Sequence, residues 1–331
     1  MPQRFVIGQA TDPGLKRGKS VNQDSIGVAE LSRGEERIPM LILADGMGGY
    51  FGGELASRIA VDTAKELFAA SDPDKTGFQT VLRECIDGAH QKIGENAATD
   101  ELLSAMGSTV VLAVPTEKSV WIGNVGDSRA YLITAEGAIT QISFDHSLVM
   151  EQVRAGLITK EEAENHPRKN VLTMSLSGQR GKVDPYITEI PWKTGDTVLI
   201  CSDGLWGPVP EDQIRSTVMS LEPQEAAGRL VELANRNGGP DNISVLICRN
   251  GGKVPAPVST EEAGTAAAVP EEGSGAGNSG RSRMLIPGLV LILILLILGL
   301  LLYFLNHRPE PLQTLIRDGI RFIYDVRIRA E

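Results

Sequence analysis

Residues Pro39–Gly53 read PMLILADGMGGYFGG. An apolar run fit for the interior of a sheet, from Pro39 to Ala44, meets Asp45, and the chain then dissolves into glycine. The pattern predicts a strand that ends on a carboxylate, with permissive backbone beyond it. A helical stripe follows, because Leu55, Ile59, Ala60, Ala64, Leu67 and Phe68 recur at spacings of three and four. The unit is therefore a buried strand that delivers an acid to its own end and then passes into an amphipathic helix.

Working outward, Val81, Leu82, Cys85, Ile86, Ala89 and Ile93 give a second stripe, over Gln79–Ile93. Thr109–Val114 and Ser119–Ile122 read as strands joined by the turn Pro115–Lys118. Arg129–Ile133 is a further strand, with a turn at Ala135–Gly137, and Thr197–Cys201 and Ile243–Cys248 are two more. Shorter helices are expected over Arg215–Leu221 and Ala226–Ala234. Adjacent hairpins with long helices inserted between them point to an α+β fold of antiparallel sheets covered by helices.

The acid at the strand end recurs. Ile200–Gly204 runs an apolar strand into Asp203-Gly204, Asp127 lies between two strands, Asp241 leads into Ile243–Cys248, and Asp24 precedes Ile26–Ala29. One Asp-Gly is an ordinary turn signal. Five strand-boundary aspartates gathered at one edge would repel one another unless cations lay between them. All-oxygen clusters of this kind suit hard divalent ions, Mg²⁺ or Mn²⁺, rather than zinc.

The motifs Asn22-Gln23-Asp24, Asp45-Gly46-Met47-Gly48-Gly49, Gly107-Ser108-Thr109, Gly126-Asp127-Ser128-Arg129, Asp145-His146-Ser147, Ser202-Asp203-Gly204-Leu205 and Gly239-Pro240-Asp241-Asn242 occur in that order between Phe5 and Arg249. As a set they resemble the bacterial branch of the metal-dependent, type 2C serine/threonine protein phosphatases. The resemblance implies a four-layer αββα sandwich with a two-metal centre at one end. It makes Asp45 the bridge between both metals, gives one metal the Gly46 carbonyl, and gives the other Asp203 and Asp241. Asp24 would support the centre through water, and Asp127 would bind a weaker third ion. Ser147–Lys182 matches the family's flap, in a flap region of about 145–182, with His146 beside it. A water shared by two divalent ions loses a proton near neutral pH and attacks phosphorus in line. No phosphoenzyme is then required, in keeping with the lack of any Cys-x5-Arg motif.

This sequence departs from the family pattern in four places. The phosphate-binding arginine usually stands five residues before the position of Asp24, which here is Lys19, while Arg17 lies two residues earlier. Arg17 is preferred, with Lys19 second, because guanidinium grips phosphate through two parallel hydrogen bonds. Tyr50 stands where bacterial members often carry histidine, and Gly207 where an aspartate commonly assists the third metal. The stretch Val171–Gly178 is a loose form of the flap's end.

The chain has 331 residues, 42% hydrophobic, with a formal net charge of −10. The acidic balance argues against nucleic acid as a partner. Cys85, Cys201 and Cys248 are far apart and read as reduced core thiols. After the catalytic region (residues 1–250), residues 251–283 are rich in Gly, Ala, Pro and Glu and form an expected tether, roughly 30 Å in root-mean-square span. Met284–Leu305 carries no charge and is expected to be a transmembrane helix. A short tail, 306–331, completes the chain.

The N-terminus has no long apolar stretch of a signal peptide, so a single-pass membrane protein with a cytoplasmic catalytic domain is expected. Arginine distribution argues the other way, since two precede the helix and Arg308, Arg317, Arg321, Arg327 and Arg329 follow it. The expected substrates are phosphorylated proteins, a Ser/Thr kinase among them, with a monomeric catalytic domain. Two alternatives stand beside this reading: a phosphoprotein-binding module with weak catalysis, and a phosphatase of an anti-sigma antagonist.

Overall fold

A computed structural model of the chain describes residues 5–16, 21–34, 36–177 and 181–251. All belong to the first of two units, Met1–Glu261. Arg17, Lys19, most of the expected tether, the expected membrane helix 284–305 and the tail lie outside the described residues. Among the described residues no helix is long and apolar enough to cross a membrane.

Strands β1 (Phe5–Asp12), β2 (Asp24–Arg33) and β3 (Glu36–Met47) precede helices α1 (Gly49–Ala70), α2 (Pro73–Thr76) and α3 (Phe78–Ala97). The short β4 (Gly107–Ser108) leads into β5 (Val110–Pro115), β6 (Ser119–Val125), β7 (Arg129–Ile133) and β8 (Ile139–Gln141). Helices α4 (Leu148–Arg154) and α5 (Lys160–Glu164) follow, before β9 (Leu176–Ser177), β10 (Tyr186–Pro191) and β11 (Thr197–Cys201). The chain then forms α6 (Asp203–Trp206), α7 (Glu211–Ser220), α8 (Pro223–Arg236) and β12 (Ile243–Asn250).

One sheet has the order β1-β12-β11-β7-β8; the other runs β10-β6-β5-β3-β4-β9, with β2 paired to β3. Every pairing is antiparallel. Alternation along β3 explains the layering. Leu41 and Leu43 face the second sheet, packing with Val198, Ile200 and Leu246. Met40, Ile42 and Ala44 face the other way, into a core shared with α1 and α3. On the far side, Leu199, Val245 and Ile247 pack under α7 and α8. The result is helices, sheet, sheet, helices, as expected. Both faces of the central strands are buried, so they read as unbroken apolar runs; each fully buried Leu or Ile contributes about 1.5–3 kcal/mol.

The opening stretch differs from its reading in one respect. The strand does not end on Asp45: β3 continues to Met47, with Asp45 opposite Asp24 and Gly46 opposite Ser108. The helix begins within the glycine run rather than after it. Gly48 makes the turn at φ 117°, and a Cβ there would lie 2.5 Å from the Ala105 carbonyl oxygen. A Cβ on Gly46 would lie 2.0 Å from the Gly53 oxygen, so the first turn of α1 packs directly on the strand end. Close approach of strand and helix, more than clearance of a cleft, is what the glycines provide.

Candidate metal centre

The five aspartates of the sequence reading reach the same place by different routes. Asp24 opens β2, Asp45 lies near the end of β3, Asp127 follows β6, Asp203 opens α6 straight after β11, and Asp241 precedes β12. Their convergence is visible in the Asp45 carboxyl, which is held well above the ordinary carboxylate range. Burial is the first cause; the charges of Asp24, Asp203, Asp127 and Asp241 follow in that order. Asp127 is raised to about 6, by burial and then by Asp145, against the pull of Arg129.

Such a set is unfavourable by itself and becomes reasonable around divalent cations. The donors fit hard ions, because they are carboxylates together with strand-end carbonyls such as that of Gly46. The set is gathered rather than closed: among the described residues no group of three His, Cys, Asp or Glu side chains already stands as a metal-binding cluster.

A layer of hydroxyls and amides fixes the acids. The Asp45 N–H donates to Thr109 Oγ1 (3.0 Å), while its carbonyl accepts from Thr109 N (2.8 Å) and Ser108 Oγ (3.0 Å). Thr109 Oγ1 is linked in turn to Ser128 Oγ at 2.8 Å. Ser202 Oγ donates to Asp24 Oδ2 (2.8 Å) and accepts from Ser244 N (3.0 Å). Asp241 Oδ1 accepts from Asn242 N at 2.7 Å. The Asn242 amide then bridges two distant points, accepting from Gln23 N (2.9 Å) and donating to the Pro13 carbonyl (2.9 Å). Pro13 and Gln23 stand on either side of Arg17 and Lys19 in the sequence.

A second network stands behind Asp127. Arg129 forms a buried ion pair with Asp145, through Nη2 at 2.8 Å and Nε at 3.0 Å to Oδ2. Gln141 Nε2 donates to Asp145 Oδ1 at 2.7 Å. The Arg129 guanidinium lies 3.7 Å over the Trp206 ring, and Trp206 Nε1 donates to the Asp127 carbonyl at 3.1 Å. His146 belongs to the same support. Its Nδ1 accepts from Gly126 N at 3.2 Å, and burial lowers its pKa, so it is a neutral brace for the turn before Asp127.

Gly207 closes α6, where its N–H donates to the Asp203 carbonyl at 2.9 Å. Tyr50 falls in the first turn of α1. The three cysteines are free and buried, with Cys85 pushed up to about 12 by burial, which leaves inert core thiols as expected.

The sequence reading passed over the roles of Ser108, Thr109, Ser128, Ser202 and Asn242. For Ser128, Ser202 and Asn242 the available signal was a hydroxyl or amide directly beside an aspartate; Ser108 and Thr109 adjoin no acid in the sequence.

Two stacked antiparallel sheets with acids from four further segments acting on the Asp45 carboxylate define an all-oxygen metallohydrolase. The chain belongs to the protein phosphatase 2C family, whose model matches residues 15–235. The serine/threonine phosphatase stp of Listeria monocytogenes is 41% identical over 231 residues, covering 68% of this chain and 89% of that protein. The serine/threonine protein phosphatase PstP of Mycobacterium tuberculosis is 34% identical over 239 residues, or 72% of this chain and 43% of that protein.

The crystal structure of the Mycobacterium tuberculosis phosphatase PstP/Ppp matches with a TM-score of 0.66 at 31% identity, covering 75% of this chain and 99% of that one. The PstP catalytic domain in complex with two manganese ions matches with a TM-score of 0.63 at 31% identity, covering 74% and 98%. The family and the enzyme class expected from the motifs, a protein-serine/threonine phosphatase, are thus borne out.

Proposed function

We propose that this chain hydrolyses phosphoserine and phosphothreonine on proteins at a two-metal centre built around Asp45. The observation that carries the reading is Asp45 standing opposite Asp24 across the β2–β3 ladder, with Asp203, Asp127 and Asp241 near enough to act on its carboxyl. In this reading Asp45, the Gly46 carbonyl, Asp203 and Asp241 would hold the two ions, Asp24 would support the centre, and Asp127 would hold a weaker third ion. Two Mn²⁺ or Mg²⁺ ions, when bound, supply an activated water and a positive field that admits a dianionic phosphoester.

The chain's own residues do the rest. Thr109 and Ser108 lock the Asp45 backbone so that its carboxylate keeps one orientation. Ser202 directs Asp24 by donating to one of its oxygens. Asn242 holds both ends of the loop bearing Arg17, which grips the phosphate in this reading, with Lys19 as the second choice. The excursion at about 145–182 covers the mouth as a flap, and the catalytic unit, residues 1–250, works as a monomer.

The biological setting is also part of the proposal. Phosphoproteins, a bacterial-type Ser/Thr kinase among them, are the substrates. Residues 251–283 tether the enzyme to a membrane helix at 284–305, with the catalytic unit on the cytoplasmic side. The uncharged run Met284–Leu305 supports the anchor, whereas the arginines after it argue against this orientation.

The test is hydrolysis of a phosphothreonine peptide with Mn²⁺ by the wild type and by Asp45→Ala. Turnover that vanishes in the variant supports the proposal, and equal turnover in both sinks it. Tight peptide binding without turnover in the wild type would favour a binding module instead.

A further inference from the structure

His90 lies on α3, and both of its ring nitrogens are engaged by one segment of chain. Ser177 N donates to His90 Nδ1 at 3.1 Å, and His90 Nε2 lies 3.0 Å from the Gly181 carbonyl. An N–H on one side and a carbonyl on the other select a single form of the ring: neutral, with the proton on Nε2. The two partners flank residues 178–180, so the imidazole bridges the place where the excursion containing α4 and α5 returns to the sheet.

The same arm is tied to α3 elsewhere. Leu176 and Val183 are buried in the core beneath α1 and α3. Arg83, two turns before His90 on α3, pairs with Asp184 at 3.6 Å. That exposed pair adds little energy by itself, but it runs along the same side of the helix. The arm also continues into the centre. Ser177 faces Gly107 and Leu176 faces Ser108 across β9–β4, while Gly107 and Ser108 face Met47 and Gly46 across β4–β3. Two short strands, β9 and β4, therefore join the base of the excursion to the end of β3 that carries Asp45.

We propose that His90 is a positioning residue: by accepting from Ser177 and donating to Gly181 it fixes the returning arm on α3 and sets the excursion in place for a protein substrate. The inference rests on the phosphatase reading and goes beyond it, since that reading gives His90 no part in holding the ions or the phosphate. In this proposal a peptide lies along the excursion, whereas a small aryl phosphate does not depend on it. Loss of His90 therefore raises KM for a phosphothreonine peptide and leaves turnover of p-nitrophenyl phosphate unchanged.

The experiment uses the full chain with Mn²⁺ and three variants. His90→Ala removes both bonds, His90→Gln keeps an amide near the Nε2 position, and His90→Asn keeps an acceptor where Nδ1 was. Peptide KM is expected to rise about five- to ten-fold in His90→Gln and in His90→Asn, the scale of the one neutral hydrogen bond each loses, and further in His90→Ala, which loses both. The p-nitrophenyl phosphate kinetics and the Mn²⁺ activation curve should be unmoved in all three.

Amide exchange at Ser177 gives a readout without catalysis: it should accelerate in His90→Ala and His90→Gln and stay slow in His90→Asn. Equal loss with both substrates, unchanged peptide KM in His90→Ala, or equal Ser177 exchange in all variants would each overturn the proposal. A wild type inactive on both substrates would defeat the phosphatase reading alone, and the exchange measurement would still decide whether His90 holds the arm.

Discussion

Asp24 and Asp45 stand directly opposite one another across the β2–β3 ladder. Paired positions on neighbouring strands favour opposite charges or apolar contacts, and like charges there are destabilising. The ladder nonetheless holds them in register, with Ser202 Oγ on Asp24 and Thr109 on the Asp45 backbone. The pairing is unfavourable to the fold alone and useful to a cation, which is the pattern expected where function overrides local stability.

Neutralising one member should therefore separate stability from metal binding. Asp45→Asn is expected to stabilise the metal-free protein by about 0.2–1 kcal/mol, the range for a relieved cross-strand repulsion. That is a rise in Tm of a few degrees at most. Saturating Mn²⁺ should raise the wild-type Tm and leave the variant's unmoved. Calorimetry with EDTA and with Mn²⁺ checks both halves. A variant that melts lower than wild type in EDTA would contradict the repulsion argument.

How much of this was legible in the sequence depended on what each residue faces. Thr197–Cys201 was read with its observed bounds, because an unbroken apolar run between turns admits few alternatives. Edge strand β10 was missed, since Tyr186–Pro191 is half-exposed and lacks a clean alternation. Helices α7 and α8 were read short at their N-termini: their first turns are polar or proline-led, and the apolar stripe marks only the buried face.

The aspartates were legible as a set because each sits beside glycine or a strand boundary. The residues that hold them were not, because a serine or threonine in a strand looks the same whether it packs or orients a carboxylate. His90 carries no local signal at all, since its partners lie 87 and 91 residues further along the chain.

The raised carboxyls also set a pH dependence for the metal-free protein. Asp127 goes from an ordinary 3.8 to about 6 on folding, and Asp45 is raised as well. An acid raised by folding binds its proton more tightly in the folded state, so stability increases as pH falls from above 6 towards 4. His146 acts in the opposite sense, because its lowered pKa makes the unfolded chain the better proton acceptor below about 6.5. The difference between wild type and Asp127→Asn isolates the carboxylate. In EDTA, the stability advantage of Asp127→Asn should be largest at pH 7 and shrink steadily towards pH 4. Urea unfolding at several pH values measures it, and a constant difference would contradict the assignment.

The ion pair behind Asp127 makes a separate prediction. Asp145 and Arg129 are both largely buried, at 3% and 18% side-chain exposure, so removing the acid leaves a guanidinium poorly compensated. Asp145→Asn is expected to cost about 3–5 kcal/mol. Trp206→Phe keeps a ring under Arg129 but removes the donor to the Asp127 carbonyl. It should cost only about 1 kcal/mol while raising the Mn²⁺ concentration needed for full activity, if Asp127 holds the weaker ion. Denaturation and Mn²⁺ titration of both variants distinguish the stabilising role from the ion-binding one.

Asn242 links the acidic centre to the loop that carries the proposed phosphate grip. Its side chain accepts from Gln23 N and donates to the Pro13 carbonyl, so one amide closes the loop from both ends. A third contact, Lys16 N to the Gly239 carbonyl at 2.9 Å, ties the same loop to the turn before Asp241. In Asn242→Ala the segment between Pro13 and Gln23 loses two of these ties. The expected result is a fall in kcat/KM of about ten-fold or more, with a stability loss of about 1–3 kcal/mol from one buried and one part-buried hydrogen bond. Arg17→Ala should lower kcat/KM in the same direction without the stability loss, and Lys19→Ala should do less, because a lysine cannot form the paired hydrogen bonds of a guanidinium. Steady-state kinetics on a phosphothreonine peptide, run beside thermal melts of the three variants, test the order. A larger loss in Lys19→Ala than in Arg17→Ala would reverse the assignment of the phosphate-binding residue and leave the role of Asn242 in closing the loop unchanged.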